Sequence, residues 1–197
     1  GKNSTRLQAE QMAAFFSRTR FTRLDNKVNN SAYNVTEAAS GTYDLNVTYG
    51  NRPRRDPIGT LKSLTPMYGD TGATPPDGNW RAAFADNMVR DPMFARNFAN
   101  RLWKQVFNQG LLEPVDSLDP ARLDPQNTPE SPWTLQAAHP VLLEKLAAAL
   151  KQNNFNLREY LRLLVQSSAY QLSSRYDGDW NLAYVPLFAR HFPRRLE

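Results

Sequence analysis

A chain of 197 residues has the size of one domain, or of one domain with a smaller annex, and its 41% hydrophobic and 22% charged residues suit a sizeable core. The absence of cysteine excludes disulfides, thiolate nucleophiles, cysteine zinc sites and a CxxCH haem attachment within this sequence, and no run approaches the roughly 20 apolar residues of a membrane-spanning helix. A net charge of +5 raises nucleic acid as a partner, but the basic residues form clusters (Arg52, Arg54, Arg55; Arg190, Arg194, Arg195) separated by mixed charge, so a solvated surface is expected and no nucleic acid partner.

In chain order, Arg6–Arg18 reads as a helix with Leu7, Met12, Ala13, Phe15 and Phe16 on its apolar side. The stretch Thr22–Ser40 is polar and Asn-rich, without a sustained period. In TYDLNVTY, Thr42–Tyr49, the residues Tyr43, Leu45, Val47 and Tyr49 alternate with polar partners, which is the period of a strand. Thr60–Met67 is a second extended run able to pair back antiparallel, with Pro66 marking an edge or a strand end. GDTGATPPDGN, Gly69–Asn79, is a linker by composition. The main boundary is expected here, between residues 1–78 and a helical domain over 79–197.

Asn79 or Asp77 can cap a helix over Trp80–Val89. Asp91-Pro92 starts the next, since Asp caps and Pro is tolerated in the first turn. That helix, Met93–Phe107, carries two apolar rows, Phe94/Phe98/Leu102/Val106 and Ala95/Ala99/Trp103/Phe107, which merge into one wide face. Asn97, Asn100, Arg101 and Lys104 are left for the other side. Gly110 is expected to take the left-handed conformation that closes the helix. From Glu113 to Trp133 the prolines at 114, 120, 125, 129 and 132 predict a long loop. His139-Pro140 opens a helix over Val141–Lys151. Asn156, with Glu159 three residues on, resembles a capping box opening a helix whose apolar side runs from Leu157, Leu161 and Leu164 to Leu172. The expected fold is mainly α: an irregular helical bundle with long Pro-rich loops and a small antiparallel β annex near the N-terminus.

Residues able to do chemistry are few. Glu113, Asp116 and Asp119 follow a helix closely enough to serve as acid and base or as hard-cation ligands, but a calcium loop wants more oxygens in tighter spacing. The plainer expectation is that they cap turns and pair with Arg96, Arg101 or Arg122. His139 and His191 are too few for an imidazole metal site, and His139 before Pro140 suits a helix entry. Ser167, Ser168, Ser173 and Ser174 lack a G-x-S-x-G elbow. Trp80 and Trp103 fall on apolar helix faces, whereas Trp133 and Trp180 sit in loops and are the better carbohydrate platforms. The binding residues that could act together are therefore Arg101, Glu113, Asp116, His139 and Trp133. No catalytic set and no metal site is legible.

The segments NRLWKQVFNQGLLEPVDSLD, HPVLLEKLA, LREYLRLLVQSSAYQLSS and FARHFPRRLE, in that order, resemble the large exported surface proteins of planctomycete type. In those, a cytochrome-c-like haem segment precedes two conserved domains of unknown function. The resemblance covers Asn79–Glu197. QAEQMAAFFSRTRF, Gln8–Phe21, is similar to the stretch that follows the haem segment, so the chain would span the end of one such domain and the start of the next. Arg194–Glu197 resembles the start of a further helix, which is expected to continue beyond this sequence. The resemblance implies a periplasmic or cell-surface parent, haem elsewhere in that parent and no cofactor here. It implies the parent's other domains as partners, and transfers no catalytic residue. The expected function is a non-catalytic structural or interaction module. The alternative is a domain acting on extracellular polysaccharide.

Overall fold

The computed structural model describes residues 5–25, 32–45, 56–69 and 78–193. Among them the chain is mainly helical, with two small antiparallel two-stranded sheets near the N-terminus. It divides into two units between Arg90 and Asp91.

In the first unit, α1 (Arg6–Ala14) opens with a full capping box: Gln8 N donates to Thr5 Oγ1 at 3.2 Å, and Thr5 N donates to Gln8 Oε1 at 2.7 Å. The helix stops at Ala14, short of the expected Arg18, because the chain turns there into β1 (Thr19–Arg23). β1 pairs with β2 (Tyr33–Glu37), setting Phe21 opposite Val35 and Arg23 opposite Tyr33. No strand was expected in this Asn-rich stretch. The ribbon is exposed on both faces, so its sequence has no buried side to alternate toward, and backbone pairing alone defines it. The annex does form: β3 (Tyr43–Asp44) pairs with β4 (Ser63–Leu64), and Leu45 and Leu64 are buried. Val47, Tyr49, Arg52, Arg54, Arg55 and residues 70–77 lie outside the described residues.

α2 (Trp80–Arg90) also belongs to this unit. Asn79 Oδ1 accepts from Ala82 N at 2.9 Å. Phe84 then meets Phe15 and Phe16 edge-on, at 5.5 and 5.0 Å between ring centroids. Trp80 is buried under the Arg18 guanidinium, 3.6 Å from its ring centre.

In the second unit, α3 (Pro92–Phe107) starts as expected, with Asp91 accepting from Met93 N at 2.8 Å. Of its two apolar rows, Ala95, Ala99, Trp103 and Phe107 are buried, whereas Phe94, Phe98, Leu102 and Val106 are half-buried. Small alanines on the deeper row allow close approach of α4 (Pro140–Gln152), which contributes Leu143, Leu146, Ala147 and Leu150 to the same core. Across this pair Arg96 grips Glu144 with Nε and Nη2 at 2.6 and 3.0 Å. α5 (Leu157–Val165) is capped by Asn156, but Glu159 pairs with Arg162 at 2.7 Å instead of returning to the cap, so only half the box forms. α5 buries Tyr160 and Leu164 and leaves Leu157, Leu161 and Val165 exposed. It ends well before Leu172. Ser167 Oγ donates to Leu164 O at 2.6 Å, a local bond that competes with further helix.

Candidate functional site

The junction after α3 gathers most of the polar residues singled out in the sequence. α3 closes on Asn108, which takes the left-handed conformation at φ 65°. The expectation for Gly110 was therefore misplaced by two residues. Gly110 is needed for space: a Cβ there would lie 2.5 Å from Leu112 O and 3.0 Å from Asn100 Oδ1. Asn100, expected on the polar side of α3, is fully buried.

Beyond Gly110 the chain runs back along α3. Glu113 Oε1 accepts from Gly110 N at 2.8 Å and from Lys104 Nζ at 2.9 Å. Partial burial pushes the Glu113 pKa up, but the Gly110 N–H, the Lys104 ammonium and the Val115 N–H together outweigh it and hold the carboxyl below its ordinary value. Asp116 pairs with Arg101, one turn before Lys104, and both side chains are more than half exposed. Asp119 caps the short 3-10 turn Pro120–Arg122 by accepting from Ala121 N at 3.1 Å. Gln136, which the sequence did not single out, fastens the loop's far side. Its Oε1 accepts from Asp119 N at 2.9 Å, and its own N–H donates to Arg122 O at 2.9 Å.

His139 and Trp133 have partners of their own. His139 Nε2 lies 3.2 Å from Pro186 O, and since a carbonyl only accepts, that nitrogen carries the proton. With Ala138, Pro140, Val141, Leu142 and Lys145 it lines a surface cavity of about 400 Å³. Trp133 is 61% exposed, with the Arg122 guanidinium 5.2 Å from its ring centre. Arg122 is itself fixed by donating Nε–H to Thr134 O at 2.9 Å. The structure thus brings Arg101 to Asp116 and sets Glu113 one turn along, on Lys104. His139 is tied to the Pro186 carbonyl and Trp133 to Arg122. Each of these contacts holds a loop in place.

Two further polar groups were hidden from the sequence by their apolar rows. Trp103 Nε1 and Tyr160 OH are buried without a hydrogen-bond partner. Burial pushes the Tyr160 phenol well above its ordinary value. Among the described residues no group of three His, Asp or Glu could hold a metal ion, and no helix is long and apolar enough to cross a membrane.

A family model described as "PSD1: Protein of unknown function (DUF1553)" matches residues 80–197, more than half of the chain. No curated protein and no solved structure matches it.

Proposed function

The chain belongs to the PSD1 family of proteins of unknown function (DUF1553), and from that premise we propose that it is a non-catalytic structural or interaction module of an exported, multi-domain, haem-containing bacterial protein. In this reading the parent is periplasmic or on the cell surface, haem is carried by another segment, and the partners are the parent's other domains. The observation that supports it is how the polar residues are used. Asp116 on Arg101, Glu113 on Gly110 and Lys104, and His139 on Pro186 each fasten a loop to a helix or turn, which leaves these groups committed to internal contacts. General acid–base work would want such groups within reach of one reacting atom. The test is sedimentation of this chain mixed with the separately produced remainder of the parent. A complex is expected. The reading fails if the chain sediments alone and instead degrades a polysaccharide in a manner abolished by Asp116→Asn.

A second reading, binding of extracellular polysaccharide, is favoured by Trp133. It is a largely exposed indole on a loop that Arg122 holds in place, the kind of flat apolar surface on which a sugar ring stacks. Retention on insoluble polysaccharide that disappears with Trp133→Ala would support it, and unchanged retention would remove it.

A further inference from the structure

Among the described residues of the second unit, Arg190 is an arginine without an anion. Arg190 lies over Trp180 at 4.1 Å from its ring centre and beside Phe192 at 5.5 Å. Trp180 is in turn edge-packed by Tyr184 at 6.0 Å, so the indole and with it the cation are held in place. Among the described residues Arg190 makes no ion pair: its Nε is buried without an acceptor, and Asp177 pairs with Arg175 at 3.7 Å. A guanidinium stacked on aromatic rings keeps its planar fork of N–H groups, and a fork of this kind matches a carboxylate with two parallel hydrogen bonds.

The same stretch carries the most exposed large apolar side chain among the described residues. Leu182 is 79% exposed and Leu187 is 55% exposed, at the two ends of the 3-10 turn that also supplies Tyr184. Trp, Tyr and Arg are enriched among the residues that dominate binding energy at protein interfaces, and here Leu182 and Leu187 bracket Tyr184 in the chain. We infer that Arg190, Trp180, Leu182 and Leu187 form a docking surface for a protein segment that presents an Asp or Glu carboxylate among aliphatic side chains. Because Nε is buried, the carboxylate takes the Nη1 and Nη2 side of the guanidinium, and the aliphatic groups cover the two leucines. This rests on the interaction-module reading and names its surface and the chemistry of its partner.

The experiment pans a displayed library of random peptides, about twelve residues long, on the whole chain and then measures synthetic copies of the enriched sequences by titration. Enriched peptides are expected to carry Asp or Glu beside aliphatic residues. They should bind at least about tenfold more weakly to Arg190→Gln, with Arg190→Lys recovering only part of the loss because it keeps the charge but not the fork. Leu182→Ser, a change at an exposed position, should weaken binding in the same direction without touching the core. Enriched peptides that lack carboxylates, peptides that bind Arg190→Gln and Leu182→Ser as tightly as the parent, or a failure to enrich any sequence would each overturn the inference. Peptides weakened instead by Leu161→Ser on α5 would overturn this surface and leave the interaction-module reading standing.

Discussion

Asn100 holds both polar groups of Leu112: its Nδ2 donates to Leu112 O at 2.9 Å, and its Oδ1 accepts from Leu112 N at 3.1 Å. A buried side chain amide here does the work of a neighbouring strand. It satisfies a donor and an acceptor at the point where the chain leaves α3, with Leu111 and Leu112 turned into the core.

Asn100→Ala removes both bonds and strands two buried backbone groups. Each costs roughly 1–3 kcal/mol when left unsatisfied, so a loss of about 2–6 kcal/mol is expected. Urea denaturation should show it as a lowered midpoint with an unchanged slope. A loss below about 0.5 kcal/mol would mean the clamp is not what holds the junction.

Gly110 and Asn108 should differ in how much substitution they tolerate. Gly110→Ala places a Cβ 2.5 Å from the Leu112 carbonyl, which must then move off Asn100. Overpacking of this kind costs about 1–3 kcal/mol. Asn108→Gly frees a residue already at φ 65°, at the expense of one exposed bond from Asn108 Nδ2 to Phe192 O. Thermal melts should place Asn108→Gly within about 1 kcal/mol of the parent. The reverse ranking would show that the Leu112 carbonyl does not confine Gly110 and that the Asn108 side chain matters more than its backbone conformation.

Tyr160 is fully buried with its hydroxyl unpaired. Tyr160→Phe removes an unsatisfied polar group from an apolar site, so neutral or slightly raised stability is expected. The pH dependence has a definite sign. The folded-state pKa is raised above the ordinary 10.0, so the protonated phenol's stabilising contribution is complete below that value and is lost as pH climbs above it. Alkaline titration of stability should therefore fall less steeply for Tyr160→Phe than for the parent. Parallel curves would show that Tyr160 does not report on unfolding.

Glu113 carries the opposite sign. Its pKa is held below the ordinary 4.5, so its contribution is present above that pH and disappears as pH falls through the lowered folded-state value. Glu113→Gln should be less stable than the parent at neutral pH, by no more than about 1 kcal/mol because the pair is partly exposed and screened. The two proteins should converge in acid. A gap that persists at low pH would assign the effect to packing and not to charge.

The local signals in the sequence were strong where a helix begins. Asp91 before Pro92, Asn79 before Trp80, and Asn156 before Leu157 each cap as their residue types dictate, because a cap is decided within three residues. The 3.6-residue period likewise placed α3 and α4, and alternation around Tyr43 and Leu45 placed the annex. Glu113 and Asp116 were legible as loop anchors in kind, and Asp116 also in its partner Arg101, whereas the pairing of Glu113 with Lys104 was not. Other features depended on what lies across the fold. α3 offered two apolar rows of similar length, and the one with alanines became the deep one because α4 can approach there. Asn100 and Tyr160 were invisible as special residues because only Leu112 O and the closed core around them give them a role. The β1–β2 ribbon left no periodic trace, since backbone pairing places no demand on side chains that no core covers. Sequence by itself determined where elements start and which side of each is apolar, since those are contests between neighbours along the chain. Tertiary structure alone decided which apolar side is buried and which polar group is left without a partner, since burial and pairing are set by residues far apart in sequence.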